Sequence, residues 1–334
     1  MIGEMIRKAA DGLELSSEEA NGAMTEIMTG EASPVQISAF LVAMRMKGET
    51  VGEVTEFARV MRQHVRAVKS SRRPLVDTCG TGGDAIKTFN VSTTAAFVTA
   101  GAGAAVAKHG NRSVTSKCGS ADLLEALDIR FDLTPEEAER CIDEIGLGFM
   151  FAPSYHPAMK HAMPVRRELG LRTMFNMLGP LTNPAGAEAQ VLGVYSPELT
   201  ELHAGVLQNL GSKRAFVVHG EGGLDEISTL GATRITELRE GGLTSYDLVP
   251  EEVGLKRAAG PQDIQGGTPE ENAKLVVRIL EGEEGPARDI VVLNAAAAIA
   301  AAGLADSLAG AVPVAVNSID SGAALGTLRQ LQAF

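Results

Sequence analysis

The segment Leu75-Val-Asp-Thr-Cys-Gly-Thr-Gly-Gly-Asp84 decides the fold class, because it joins a short apolar strand to a glycine-rich loop. The pattern then predicts a helix from Ser92 to Thr99, a second strand from Ala104 to Ala107 and a second polar loop that begins at Lys108. Strands that alternate with helices are typical of a parallel sheet with ligands at the carboxyl ends of its strands. The sequence therefore predicts an α/β protein with a mostly parallel central sheet.

Residues 1–66 have a different pattern, in which helix caps precede apolar stripes. Ser16, Ser33 and Thr50 are each followed three residues later by an acid or amide side chain. In that spacing the two side chains satisfy each other's free backbone N–H groups, as in a capping box. This stretch is expected to form a small all-helical domain.

The rest of the chain continues the alternation of strands and helices. Thr134 and Thr268 each precede a proline and two acids, which predicts that they cap helices. Further elements are expected as strands at Gln190–Val194, Ala215–Val218 and Asp289–Leu293, a helix at Asp122–Leu127, a packed helix at Asn294–Ala302, and a hairpin at Thr236–Leu248.

The overall charge limits the partners of the protein. The chain has 334 residues, with 30 lysines and arginines against 42 acids, and a net charge of −12. This acidity argues against general binding to nucleic acid or to an anionic membrane. The three cysteines form no paired motif, which suits a reducing cytoplasm, and no window approaches the ~20 apolar residues of a membrane span.

One segment departs from this acidity. The 37 residues from Ala85 to Ala121 contain no Asp or Glu, where an even spread of acids would place about five. The same stretch contains Lys87, Lys108, Arg112 and Lys117. A local excess of cations with polar loops indicates a phosphorylated ligand more than a solvated surface.

Two loops at the start of this region are suited to phosphate. The glycines of 80–84 allow a tight turn with N–H groups toward an anion, although an ordinary strand–helix turn has the same composition. Asn90-Val-Ser-Thr93 lies where a helix begins, so Ser92 or Thr93 is either an N-cap or part of an anion site. The spacing matches neither a dinucleotide fingerprint nor a P-loop.

Two further loops follow predicted strands. Lys108-His-Gly-Asn-Arg112, with the hydroxyls of 113–116, combines a guanidinium fork with a mobile ammonium group. Asp225 and Glu226, in a glycine-rich loop after His219, are either solvated acids or ligands of Mg²⁺. No zinc-hydrolase or serine-hydrolase motif is present.

Taken in order, these loops give the chain a resemblance to the anthranilate phosphoribosyltransferase family. The resemblance runs essentially from end to end, and it rests on Gly80–Asp84, Asn90–Thr93, Lys108–Arg112, Arg172–Pro184, Leu224–Glu226, Asn294–Ala298 and Ile319–Gly322. It implies an enzyme that joins anthranilate to 5-phosphoribosyl 1-diphosphate and releases diphosphate in tryptophan biosynthesis. It also implies a Mg²⁺ cofactor and a homodimer formed through small helical domains.

The resemblance assigns domains and site residues by position. Residues 1–68 and about 165–185 would form the small helical domain, and 69–164 and 186–334 the α/β domain. The phosphoribosyl diphosphate site would be lined by Gly80, Gly83, Asp84, Thr88, Asn90, Val91, Ser92, Thr93, Lys108, His109, Gly110, Asn111, Arg112, Ser113, Val114, Thr115, Ser116 and Ser120. Mg²⁺ would bind Ser92, Asp225 and Glu226. Anthranilate would contact Gly80, Asn111 and Arg166, with Arg166 rather than Arg167 at its carboxylate. Lys108, Asn111 and Arg112 would act in catalysis.

Two alternatives remain. A pyrimidine nucleoside phosphorylase shares the fold expected here, but such chains are longer and have a different phosphate loop. A non-catalytic relative that binds nucleic acid is expected to have a strongly basic surface, which the net charge of −12 opposes.

Overall fold

The computed structural model describes residues 1–83, 86–113 and 117–334. The predicted strand–helix–strand unit is confirmed as β1 (Leu75–Gly80), α5 (Val91–Gly101) and β2 (Ala105–Gly110), with the two strands parallel. Four of the residues predicted for the site lie outside the described residues, namely Asp84, Val114, Thr115 and Ser116.

Seven strands form one sheet in the described chain. The others are β3 (Leu147–Phe151), β4 (Ala189–Gly193), β5 (Arg214–Gly220), β6 (Thr233–Arg239) and β7 (Gly242–Leu248). Their order is β3-β2-β1-β4-β5-β6-β7, in which the first five are parallel and the last two are joined by antiparallel pairing. The predicted hairpin is therefore confirmed as β6 and β7, and the fold is α/β with a mostly parallel sheet.

Helices cover both faces of the sheet and form the N-terminal part. The remaining α-helices are α1 (Ile2–Ala10), α2 (Ser17–Thr29), α3 (Pro34–Lys47), α4 (Val51–Gln63), α6 (Ser120–Ala126), α7 (Pro135–Arg140), α8 (Ala152–Tyr155), α9 (Met163–Leu169), α10 (Met174–Leu178), α11 (Leu199–Asn209), α12 (Pro269–Leu280), α13 (Pro286–Ala301), α14 (Leu308–Asp320) and α15 (Ala323–Ala333). Shorter helical turns are Cys141–Ile145, Pro157–His161, Gly179–Leu181, Pro250–Val253 and Pro261–Asp263.

The helix caps predicted from the sequence are present. Ser16, Ser33, Thr50, Thr134 and Thr268 each accept a hydrogen bond from the third residue of the helix that follows, in a capping box. Each such cap satisfies N–H groups that a bare helix end would leave open, for about 1 kcal/mol.

Three expectations about element boundaries are wrong. Asp289–Leu293 is not a strand but lies inside α13, whose buried sides make the apolar run indistinguishable from a strand by composition. Lys108 does not begin a loop, because β2 continues to Gly110 by pairing with β3. Neither Ser92 nor Thr93 is the N-cap of α5, which is Asn90, without a side-chain capping bond.

The segment that follows β3 returns to the N-terminal helices. Ala162, Val165, Phe175 and Leu181 pack in the same apolar cluster as the buried faces of α1 to α4. The Arg62 side chain also donates a 2.7 Å hydrogen bond to the Leu181 carbonyl. That cluster continues onto β4, β5 and α11, so the division into 1–68 with 165–185 and 69–164 with 186–334 remains a prediction.

None of the described helices alone combines the length and apolar character of a membrane-crossing helix. Only α14 and α15 together do so, as a pair bent by 57°.

Candidate active site

The carboxyl ends of the parallel strands meet at one edge of the sheet, where the Asp225–Glu226 loop crosses them. A methyl group on Gly193, at the end of β4, would overlap the Asp225 carbonyl, and one on Gly80 would lie 3.0 Å from the Asp225 carboxyl carbon. Glycine is therefore required at these two strand ends because the loop lies against their backbone. At the carboxyl edge of a parallel sheet, this is the expected place for a ligand.

The glycine-rich loop after β1 is tied to that acidic loop. The Gly82 N–H donates a 2.7 Å hydrogen bond to Asp225 Oδ2, and the Thr81 N–H donates a 2.8 Å hydrogen bond to the Gly193 carbonyl. On the outer side, Arg172 lies over the Tyr195 ring at 4.5 Å and approaches the Gly83 carbonyl at 3.4 Å. The structure thus brings Gly80, Gly83 and Asp225 together, as the resemblance implies.

The N-terminus of α5 joins the other acid to a lysine. Glu226 Oε1 accepts a 3.1 Å hydrogen bond from the Ser92 N–H. Lys108 Nζ lies 3.4 Å from Ser92 Oγ. A carboxylate at a helix N-terminus is favoured by the helix dipole. Ser92, Lys108 and Glu226, which are far apart in sequence, therefore meet at one place.

Lys108 is a buried cation at the base of this site. Its side chain is only 2% exposed, and Nζ donates to the Thr78 carbonyl at the end of β1. Burial lowers the pKa of Lys108, while the negative charges of Asp77 and Glu226 act in the opposite direction. A charge held in this low-dielectric position acts on a nearby anion more strongly than an exposed lysine does.

A buried carboxylate holds β1 and β2 apart just below the site. Their pairing ends after Val76, and beyond it Asp77 accepts hydrogen bonds from the His109 N–H at 3.2 Å and from Asn183 Nδ2 at 2.7 Å. Asn183 also donates to the Ala107 carbonyl at 2.8 Å. Burial raises the pKa of Asp77 to about 6. Neither Asp77 nor Asn183 was predicted from the sequence as part of the site. An acid inside an apolar strand was, however, a signal for Asp77.

The predicted site residue His109 points away from the acidic loop. Its Nε2 lies 3.2 Å from His156 Nε2, and both rings are buried. Burial lowers the pKa of His109 to about 3 and that of His156 to about 4. Both imidazoles are therefore neutral at physiological pH and supply no positive charge to a phosphate.

Arg112 is engaged by acids that follow the acid-free segment. Its guanidinium lies 2.7 Å from Asp122 and 2.8 Å from Glu125, which raise the pKa of the arginine, and it lies over the Phe131 ring. Asp122 also accepts a hydrogen bond from the Ser113 N–H at 3.0 Å. In this arrangement, Arg112 fixes the loop to α6, and the expected free guanidinium fork is not present.

The carboxamide groups of the site are mostly used within the protein. Asn90 Nδ2 donates to the Cys118 carbonyl at 3.2 Å, while Asn90 Oδ1 accepts from Asn272 Nδ2 at 3.1 Å. Asn111 Oδ1 accepts from the Arg112 N–H at 2.8 Å. Asn90 therefore links the start of α5 to the residues after the Arg112 loop and to α12, and Asn272 is a contributor that the sequence analysis missed.

The other residues predicted to line the site lie close to these groups. Val91 and Thr93 are buried in the first turn of α5, and Thr88 forms an isolated bridge with Gln265 just before it. Ser120 begins α6, and the end of β2 packs against it. Because the side chains of Val91 and Thr93 are buried, these two residues are suited to line the site with their backbone.

Arg166 lies in α9, within the segment packed against the N-terminal helices. Its guanidinium lies over the Phe175 ring at 5.2 Å, and burial lowers its pKa. Within residues 1–83, 86–113 and 117–334, no carboxylate forms an ion pair with it, whereas Arg167 next to it is exposed. A half-buried guanidinium over an aromatic ring is suited to an aromatic carboxylate.

The oxygen groups at the edge of the sheet suit a hard cation. In the part of the chain that the structure describes, no three His, Cys, Asp or Glu side chains could hold a metal by themselves. Asp225, Glu226 and the Ser92 hydroxyl supply oxygens only, and Mg²⁺ characteristically uses one or two carboxylates and completes its shell with water and substrate phosphate. The donor set therefore fits Mg²⁺ bound together with a phosphorylated substrate.

Comparisons with known proteins show the family of the chain. Residues 72–325 match the model of the glycosyl transferase family a/b domain, and residues 3–65 match its helical bundle domain. The anthranilate phosphoribosyltransferase of Symbiobacterium thermophilum is 57% identical over 99% of this chain and 96% of its own, and that of Moorella thermoacetica is 56% identical over 100% and 98%.

Solved structures give the same result. The anthranilate phosphoribosyltransferase of Thermus thermophilus superposes with a TM-score of 0.93 at 49% identity, over 98% of both chains. That of Saccharomyces cerevisiae, solved in complex with PRPP and Mg, superposes with a TM-score of 0.90 at 28% identity, over 99% of this chain and 97% of the yeast chain. With its matched domains, full-length relatives and sheet-edge site, the chain belongs to the anthranilate phosphoribosyltransferase family.

Proposed function

We propose that the protein transfers the phosphoribosyl group of 5-phosphoribosyl 1-diphosphate to the amine of anthranilate in tryptophan biosynthesis. The observation that carries the proposal is the meeting of Ser92, Lys108 and Glu226 at the N-terminus of α5. It joins a helix N-terminus, a buried cation and a metal-binding carboxylate, which together suit a sugar diphosphate.

The reaction breaks the bond between C1 of the ribose and the diphosphate oxygen and forms a bond from C1 to the amine nitrogen. Diphosphate leaves with the electron pair, and the amine releases a proton. An aryl amine is a weak nucleophile, so the barrier depends on stabilising negative charge that grows on the leaving group. Lys108 and the backbone N–H groups of the loops after β1 and β2 supply that stabilisation without a strong general base.

The metal-binding residues of the site would be Ser92, Asp225 and Glu226. Held by these residues, Mg²⁺ would supply positive charge to the diphosphate group. The yeast relative was solved with Mg as well as PRPP, which supports this cofactor for the present chain. The glycine-rich loop is tied to Asp225 through Gly82, so it binds diphosphate next to the metal-binding acids.

The acceptor site uses residues from both parts of the chain. Arg166 binds the carboxylate of anthranilate, and Gly80 and Asn111 line the path between the amine and the ribose. Holding the amine in line with C1 replaces an encounter in solution by a bound geometry, which lowers the barrier. A yeast relative solved with 4-fluoroanthranilate supports this class of acceptor.

The proposed function is tested by following anthranilate fluorescence in the presence of phosphoribosyl diphosphate and Mg²⁺. We expect the anthranilate fluorescence to fall only when the protein, phosphoribosyl diphosphate and Mg²⁺ are all present. A parallel reaction with uridine or thymidine and inorganic phosphate is expected to give no free base. Release of free uracil or thymine without consumption of anthranilate would support the nucleoside phosphorylase alternative instead.

Replacement of Arg166 by alanine is expected to raise the KM for anthranilate about 10- to 100-fold, the usual loss for a charge-assisted hydrogen bond to a carboxylate. The KM for phosphoribosyl diphosphate should stay the same, because Arg166 binds only the acceptor. Arg167→Ala is the matched control, since Arg167 is the exposed neighbour on the same helix. Equal increases in both KM values for Arg166→Ala would contradict the assignment.

We also propose a cytoplasmic homodimer formed through the N-terminal helices. Val35 and Met46 of α3 are 79% and 83% exposed, and they lie three turns apart on one face of the helix with Ala39 and Val42 between them. An exposed apolar stripe of this kind favours association. The three cysteines are free, which agrees with a reducing compartment.

The double variant Val35→Glu with Met46→Glu is expected to convert a dimer into monomers, because it places charges at the two most exposed positions of the stripe. Sedimentation velocity at micromolar protein measures the change. Leu304→Glu is the control, since Leu304 is an exposed apolar residue in the α/β part of the chain. A dimer that persists in the double variant would contradict this interface.

A further inference from the structure

A buried side chain that was not assigned to the site lies beside the acidic loop. Asn294 belongs to α13, where it is only 2% exposed between aliphatic and alanine neighbours. A carboxamide in such surroundings is unfavourable unless its hydrogen bonds are satisfied. Its presence in a helix of mostly buried apolar residues therefore requires a reason.

The hydrogen bonds of Asn294 are directed at the backbone of Ile227. Asn294 Oδ1 accepts from the Ile227 N–H at 2.9 Å, and Nδ2 donates to the Ile227 carbonyl at 2.9 Å and to the Ile290 carbonyl at 2.8 Å. Both amide hydrogens and the oxygen of the side chain are thus engaged. Asn294 holds Ile227 with the same pair of bonds that a neighbouring strand would provide.

Ile227 directly follows the two metal-binding acids. The ends of their loop are held by other bonds, since Gly220 pairs with Leu224 before it and the Ser228 N–H donates to Thr233 Oγ1 after it. Asn294 instead anchors the middle of the loop to α13.

That anchor is connected to the rest of the site. Helix α13 packs against α5, whose Ser92 N–H binds Glu226. Asn294 also lies around the same narrow crevice as Ser92 and Glu226. Helix α13 therefore forms a common base for the N-terminus of α5 and for the acidic loop.

We propose that Asn294 is a positioning residue for the metal site, which it supports by fixing Asp225 and Glu226 relative to Ser92. The inference rests on the proposed function, because it concerns the same Mg²⁺ and diphosphate. The hydrogen bonds of the Asn294 side chain go to Ile227 and Ile290, so it acts on the two acids through the backbone of Ile227. Groups that orient metal ligands in this way typically contribute about 10- to 100-fold to metal affinity.

The test compares Asn294→Leu with Ile299→Ala, a change at another buried position of α13 that has no bond to the loop. Binding of Mn²⁺ in the presence of phosphoribosyl diphosphate is measured by EPR, and the KM for anthranilate is measured separately. For Asn294→Leu we expect the apparent dissociation constant for Mn²⁺ to rise about 10-fold or more, with the anthranilate KM unchanged. Ile299→Ala should lower the melting temperature without weakening Mn²⁺ binding.

The outcomes separate this inference from the proposed function. Mn²⁺ binding by Asn294→Leu equal to that of the unaltered protein would overturn the role of Asn294 alone. An unaltered protein that binds no Mn²⁺ with phosphoribosyl diphosphate would overturn the metal site together with it. If Asn294→Leu does not fold, Asn294→Ser is measured instead, since the smaller side chain fits the space but cannot make both bonds to Ile227.

Discussion

With Lys108 replaced by methionine, kcat/KM for phosphoribosyl transfer is expected to fall about 10²- to 10³-fold, the usual effect of removing a preorganised group that stabilises transition-state charge. Lys108 is almost fully buried and directed toward the Thr78 carbonyl and Ser92, so its position is fixed before the reaction begins. Methionine keeps the apolar length of the side chain and removes the charge together with the hydrogen bond to the Thr78 carbonyl. The effect should appear mainly in kcat, because the diphosphate gains negative charge as it leaves.

The matched control is Lys117→Met, the same substitution at an exposed lysine of the acid-free segment. Its kinetics should resemble those of the unaltered protein. Circular dichroism checks that both variants are folded. Similar kcat/KM losses for the two lysines would show that the general positive charge of the segment, and not the buried position of Lys108, acts on the substrate.

The double variant Asp225→Asn with Glu226→Gln is expected to lower kcat/KM about 10²-fold or more and to weaken the dependence of the rate on Mg²⁺. Both replacements keep the size of the side chains and their ability to accept hydrogen bonds from Gly82 and Ser92. They remove the negative charge that attracts the cation. Titration of initial rate against Mg²⁺ measures the effect.

An equivalent surface pair serves as the control. Glu251 and Glu252 are also adjacent and both are exposed, so Glu251→Gln with Glu252→Gln changes the net charge by the same amount away from the site. This control should keep the original Mg²⁺ titration. A curve for the Asp225 and Glu226 variant that coincides with it would contradict the metal assignment.

Local features of the fold could be predicted from the sequence. Capping boxes such as that of Ser16, and the strand, helix and strand around the glycine-rich loop, depend on residues close together in the chain. Elements that depend on residues distant in the sequence were harder to predict. Strand β3 was missed because a short apolar run does not distinguish a strand from a buried helix. Strand β2 was predicted too short because only its pairing with β3 extends it to Gly110.

The candidate site shows the same division between local and distant effects. The acid-free segment indicated Lys108 as a candidate site residue, but it did not indicate which partners its cations would have. Arg112 forms ion pairs with Asp122 and Glu125. Asp122 is the first residue after the acid-free segment. Asp77 and Asn183 meet inside the sheet from positions 106 residues apart, which no motif spacing could indicate.

The central claim is that this site releases diphosphate from C1 of the ribose while the amine of anthranilate attacks in line. The most direct measurement follows phosphoribosyl diphosphate labelled with ¹³C at C1 by ¹³C and ³¹P NMR, with anthranilate, Mg²⁺ and the unaltered protein. The account predicts one diphosphate released for each C1–N bond formed, with inverted configuration at C1. A C1 signal that does not change, or diphosphate released without a C1–N product, would contradict it.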